Sequence, residues 1–254
     1  MPTALIRDIP DSFDQAIVAA GGRAPDVDLA RTQHDVYRDH LDSAGYTITT
    51  IPADETCPDC VFVEDTAVIV GDLAVITRPG VSQREPEVAP VANYLGERFP
   101  TTTIAPPGTL DGGDVMIVAN KVYVGLSGRS NQHGIDQLGT AVRGQGLDLV
   151  VVAVEGALHL KTAVLPVGGE TVVVTPGTVD ESLLSGLRTI HESDDERFLF
   201  SALPLADDRV LTTTSAPRTT SMLEHMGLVV EPIDVSEILA ANGGLTCMSI
   251  MFDV

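Results

Sequence analysis

Four hairpin-like segments recur along the chain: Thr66–Thr77 (TAVIVGDLAVIT), Val115–Leu126 (VMIVANKVYVGL), Thr162–Thr175 (TAVLPVGGETVVVT) and, more weakly, Ser201–Thr214 (SALPLADDRVLTTT). Each sets two β-branched, apolar runs around a short turn rich in Gly, Asn or Asp, the signature of an antiparallel pair. Their starts lie roughly 40–50 residues apart, a spacing that reads as internal repetition. Helical patterns alternate with them at Val27–Ala44, Ser82–Arg98, Gln132–Gly144, Val179–Leu187 and Arg218–Met226. Each is followed by a strand: YTITTI, TTTIA, LDLVVVAV, RTIHE and LVVEPI. A fifth hairpin is missing, but the chain opens on a lone strand, TALIRD, and ends on CMSIMFDV. If those two ends are the arms of a fifth unit, they close a ring. Five units in 254 residues give about 51 residues each, the size of a ββαβ module. The expected fold is therefore α/β, a single domain spanning residues 1–254, with closure removing exposed sheet edges.

The formal net charge of −21 argues against a nucleic-acid partner, which needs clustered Lys and Arg, and against an anionic membrane surface. Lysine is confined to Lys121 and Lys161. No run of about 18 apolar residues and no leader pattern is present, so a soluble, cytoplasmic protein is expected. Cys57, Cys60 and Cys247 make an odd number and no disulfide framework. The acidic surface reads equally as adaptation to a salty cytoplasm and as an ordinary bacterial trait.

In a radial repeat, equivalent positions converge on the axis. The residues standing before the hairpins are Asp59, Glu64 and Asp65 in the first unit, Asp111 and Asp114 in the second, His159 in the third and Cys247 in the fifth. Arginines follow the second arms: Arg78 and Arg84, Arg129, Arg218 and Arg7. One thiol, one imidazole and several carboxylates are thus expected at one end of the ring. Taken singly, Cys247 reads as a small core residue, His159 as structural and each Asp as a turn former. The shared offset of Cys247 and His159 in different repeats is what core packing does not require. Cysteine with histidine and a carboxylate supplies nucleophile, acid/base and orienting group. Gathered carboxylates are costly unless a cation relieves them. A metal ion would do so, but a nucleophile also needs an electrophilic carbon. A guanidinium meets both demands and is bound bidentately by carboxylates, while rim arginines would grip a substrate carboxylate or serve as simple ion pairs. The Cys57-Pro-Asp-Cys60 motif lacks a second pair and leads into a strand, so it is weak ground for zinc or thioredoxin-like chemistry.

The segments PDCVFVEDTAV, LAVITRPG, TLDGGDVM, VYVGLSGRSNQHG, LHLKT and GGLTCMS resemble the dimethylarginine dimethylaminohydrolases of the guanidine-modifying pentein superfamily. The resemblance spans nearly the whole chain in order. It implies a five-bladed α/β-propeller (pentein) of ββαβ repeats closed by the N- and C-terminal strands. It implies a hydrolase of linear amidines that converts asymmetric dimethylarginine or monomethylarginine to citrulline and a methylamine, with no cofactor or metal. Carried over by position, Cys247 is the nucleophile, His159 the proton donor and later base, and Asp111 its orienting group. Glu64 and Asp65 would bind the guanidinium, Asp59 the α-amino group, and Arg84 and Arg129 the α-carboxylate. Phe62 would pack nearby, and carbonyls near Val18 and Ala241 would hold the amino-acid end. The implied partner is a small molecule, and a homodimer is compatible.

Two other readings compete. An arginine deiminase-like hydrolase would take another guanidine, although such enzymes resemble longer chains with an added helical domain. A non-catalytic pentein binding protein would make Cys247 and His159 coincidental.

Overall fold

The computed structural model describes residues 1–205 and 208–253. The chain packs as two units, Met1–Val63 with Ser193–Val254, and Glu64–Glu192. Among the described residues, five three-stranded sheets share one plan. A central strand pairs antiparallel with one neighbour and parallel with the other, and a helical crossover or turn leads to the parallel strand, as parallel pairing requires.

The first unit holds two of these sheets. In one, β1 (Pro2–Arg7) is central, parallel to β2 (Thr47–Ile51) and antiparallel to the last strand, β15 (Ser249–Asp253), with Leu5 opposite Ile250. The two ends of the chain are therefore the arms of a fifth unit, as the repeat predicts. The other is built from β12 (Ala202–Pro204), β13 (Arg209–Thr213) and β14 (Val229–Ile233). The connection in the fourth predicted hairpin includes residues 206 and 207, outside the described residues. Helix α1 (Val27–Ser43) starts where the Asp26 carboxylate accepts the Leu29 N–H, a standard N-terminal cap. It buries Ala30, Gln33, His34, Tyr37 and Leu41, spaced for one helical face. Tyr37 Oη and Ser249 Oγ, 2.7 Å apart, tie that face to β15.

The second unit holds three sheets. These are β3 (Ala67–Val70), β4 (Leu73–Ile76) and β5 (Thr101–Thr103); β6 (Val115–Val118), β7 (Lys121–Leu126) and β8 (Asp148–Ala153); and β9 (Val164–Gly168), β10 (Thr171–Val174) and β11 (Arg188–His191). Helix α2 (Val88–Gly96) links β4 to β5, and α3 (Gln132–Gly144) links β7 to β8. Asn131 caps α3 through the Gly134 N–H. That helix buries Ile135, Leu138 and Val142 in a cluster with Val70, Val75, Val122 and Val124. Each such aliphatic side chain contributes about 1.5–3 kcal/mol on burial.

The helical patterns are recovered with two corrections. Ser82–Glu87 forms a 3-10 segment, and the α-helix begins only after it. Val179–Leu187 is not a helix: only Glu181–Leu184 turns, as a 3-10 segment. The flanking Gly177 (φ 75°) and Gly186 (φ 96°) take left-handed backbone that ends a helix. Thr162, read as the start of a hairpin, lies instead in the helical turn α4 (Leu160–Ala163). Helices α5 (Pro217–His225) and α6 (Ser236–Ala240) complete the chain. Among the described residues no helix is long and apolar enough to cross a membrane.

Candidate functional site

The same local device precedes four of the first hairpin strands. A 3-10 turn, Val63–Thr66, leads into β3; Gly112–Asp114 leads into β6; α4 leads into β9; and Thr246–Met248 leads into β15. The polar residues singled out by the repeat sit on these turns or cap them: Glu64 and Asp65, Asp111 and Asp114, His159, and Cys247.

In the second unit these turns converge. His159 Nε2 lies 3.0 Å from Asp111 Oδ2 and 3.9 Å from Asp65 Oδ1. The Asp111 carboxylate also accepts from Arg129 Nη1 (3.2 Å) and from the Gly80 N–H (2.7 Å). Asp65 accepts from Arg84 Nη1 (2.6 Å) and from the Gly113 N–H (2.9 Å). Asp114 accepts from Ser127 Oγ and Ser130 Oγ, both at 2.6 Å, and from the Leu160 N–H at 2.9 Å. That last bond fixes the residue next to His159. Lys161 Nζ meets Glu64 Oε1 at 2.5 Å. A Cβ on Gly113 would come within 2.6 Å of His159 Nδ1 and 2.8 Å of Asp65 Oδ1, and one on Gly112 would overlap the Glu64 carbonyl. The Gly-Gly pair is therefore what lets three turns meet.

The electrostatics follow from this packing. Burial opposes charge on His159, but Asp65, the Asp111 hydrogen bond and Asp114 outweigh it and hold the imidazolium up to about 9. Burial likewise opposes the Asp65 carboxylate, yet His159 and Arg84 keep it well below the usual carboxylate range. For Asp114 burial wins, and its carboxyl is pushed up despite its serine partners. Burial also opposes charge on Arg84, but Asp65 and Glu87 hold its guanidinium firmly charged. The expected crowd of like charge is thus relieved from within, by Arg84, Arg129, Lys161 and His159. Among the described residues, Asp65, Asp111 and His159 form the one group whose ligand atoms converge closely enough for a metal ion, within 4.8 Å. Their atoms already engage Arg84, Arg129 and backbone N–H groups, which suits an ion-paired acid/base cluster better than a metal cradle.

The first unit assembles the remaining predicted residues. Asp59 accepts from the Ile17 N–H at 3.1 and 3.3 Å, and Asn242 Nδ2 donates to the Ile17 carbonyl at 3.1 Å. The chain at Val18 is thereby pinned beside Asp59 and the segment holding Ala241. Phe62 packs edge-on to Phe13, with ring centroids 6.0 Å apart, and lies against Gly243, where a Cβ would strike its ring. Cys247 is half-buried on its turn, its N–H donating to the Gly244 carbonyl at 3.2 Å.

The arginines separate into two sorts. Arg78 pairs with Glu85, Arg218 with Asp195 and Arg7 with Asp54, all ordinary ion pairs. Arg84 and Arg129 belong to the cluster. Cys57 and Cys60 are buried in a turn ahead of β3 and join no metal-competent group among the described residues. Sequence reasoning missed Glu87, which is 1% exposed and takes three contacts from Arg84 at 2.8–3.1 Å. The three-residue spacing of Arg84 and Glu87 within one helical pattern was the available signal. It also missed Ser127, Ser130 and Lys161.

A five-fold ββαβ plan carrying a carboxylate–histidine cluster on its strand-leading turns is the arrangement of a guanidine-modifying pentein, and residues 55–200 match the arginine deiminase family. A dimethylarginine dimethylaminohydrolase from Streptomyces coelicolor is 36% identical over 225 residues, 87% of this chain and 85% of that one. The crystal structure of a dimethylarginine dimethylaminohydrolase histidine-to-glycine variant, as an adduct with S-methyl-L-thiocitrulline, superposes with a TM-score of 0.94 at 29% identity, covering 99% and 100% of the two chains. That of the Pseudomonas aeruginosa enzyme, a cysteine-to-serine mutant complexed with citrulline, gives 0.93 at 29% identity and 98% of each. The chain belongs to the dimethylarginine dimethylaminohydrolase family.

Proposed function

We propose that this protein hydrolyses the C–N bond of Nω-methylated L-arginine, giving L-citrulline and dimethylamine or methylamine, as a single catalytic domain. One observation carries the chemistry: His159 is held as imidazolium through neutrality by Asp111 and Asp65, on the turn of its repeat equivalent to the one that bears Cys247. The Cys247 thiolate attacks the guanidinium carbon to form a tetrahedral adduct. His159 gives its proton to the departing amine, leaving an S-alkylthiouronium on Cys247. The now neutral His159 takes a proton from water as the oxygen attacks, and collapse releases citrulline and the thiolate. Asp111 orients His159 throughout. Glu64 and Asp65 hold the guanidinium, and such fixing in place is worth much of the barrier.

Asp59, Phe62 and the carbonyls near Val18 and Ala241 are assigned to the amino-acid end, and Arg84 and Arg129 to the α-carboxylate. Arg84 must yield part of its contact with Asp65 or Glu87 to reach it. The reaction as written uses no cofactor. Three cysteines, an odd number that builds no disulfide framework, support a reducing, cytoplasmic setting. A citrulline assay on asymmetric dimethylarginine, beside arginine and agmatine, tests the reading. Turnover of the methylated substrate is expected, and Cys247→Ser should lower it by at least about 10³-fold. Citrulline formation from arginine alone would point instead to a deiminase, and none from any guanidine to a binding protein.

A further inference from the structure

Lys161 has no part in that scheme, yet its placement is specific. It is one of two lysines in the chain. It sits in α4 two residues past His159, in a turn anchored by the Leu160–Asp114 bond. Its ammonium meets Glu64 at 2.5 Å, and both side chains are only 13% exposed. An ion pair so withdrawn from water is not a solvated surface contact: a carboxylate there demands a cation. Glu64 is the same group assigned to the substrate guanidinium, so the present inference rests on that reading.

We propose that Lys161 is the exchangeable counter-ion of Glu64, yielding it to the guanidinium of the substrate and reclaiming it from the product. The exchange is possible only because the reaction removes a charge. The substrate presents a planar cation that competes for the carboxylate through two N–H donors. Citrulline presents a neutral ureido group, which cannot hold Glu64 against an ammonium. Lys161 thus opposes substrate binding by the strength of the pair and denies the product any contact with Glu64, favouring release.

The test is calorimetric titration of the Cys247→Ser protein, with and without Lys161→Met, using asymmetric dimethylarginine and citrulline. Removing the competitor should tighten dimethylarginine by about tenfold, since no ion pair need then be broken. Citrulline should tighten less, because it binds without breaking that pair and gains at most a neutral donor's hydrogen bond to the freed Glu64. The ratio of dimethylarginine to citrulline affinity should consequently rise, and Lys161→Arg should keep the parent ratio. Lys161→Gln removes the charge equally and serves if the methionine variant does not fold. A weakening of dimethylarginine, or an unchanged or lower ratio, overturns the inference while leaving the proposed function intact. Failure of Cys247→Ser to bind any methylated arginine overturns both.

Discussion

At the residue scale, His159 is the group whose state is easiest to read from outside. With its imidazolium held up to about 9, it is armed as a proton donor at neutral pH and disarmed above that point. The kcat/KM for methylated arginine should therefore fall as pH rises through about 9, which a pH–rate profile checks. Asp114 contributes to that hold and also pins the neighbouring Leu160 N–H. Asp114→Asn keeps the shape and removes the charge, so the alkaline fall should begin at lower pH; an unmoved limb would show that Asp114 only packs. Which residues meet was partly legible beforehand. Asp65, Asp111 and His159 all stand just before their hairpins, and the repeat places them on corresponding turns. Glu87 and Lys161 were not legible, because their partners are chosen through space by turns far apart in sequence.

Among the elements, the hairpins were the readable part. Turns such as Gly71-Asp72 and Ala119-Asn120 punctuate β-branched runs, so period and boundary agree. Helix α3 was read to its terminal residues because Asn131 caps it and its apolar positions follow one face. The five-residue α6 and the 3-10 turns escaped, being shorter than the window in which periodicity can be seen. Yet those short turns carry the residues assigned to the chemistry under the proposed function, and the Gly112-Gly113 step is where they pack most tightly. Gly113→Ala should push His159 or Asp65 aside and abolish most activity, with thermal unfolding showing a loss of about 1–3 kcal/mol. At the other extreme, Asp26→Ala removes only the α1 cap and should cost about 1 kcal/mol of stability with catalysis intact.

Across the whole molecule, two buried histidines give opposite pH responses. His159 is charged more readily folded than unfolded, so its contribution is full below about 6.5 and is lost as pH rises through about 9. Burial instead pushes His34 down to about 4, and its Nε2 has no hydrogen-bond partner. The unfolded chain then binds the extra proton, so stability is lost as pH falls from about 6.5 towards 4. Subtracting the urea-denaturation curve of His34→Gln from that of wild type should isolate an acid-side loss of about 3 kcal/mol. A flat difference would mean that this histidine finds a partner on protonation. The surplus of 36 acidic over 15 basic residues adds self-repulsion, so molar salt should raise the melting temperature. Finally, β1 lies between β2 and β15, with Leu5 facing Ile250. During synthesis β1 has no antiparallel neighbour until β15 is made, with every other described strand laid down between them. The turn bearing Cys247, which leads into β15, is therefore set late on this sheet.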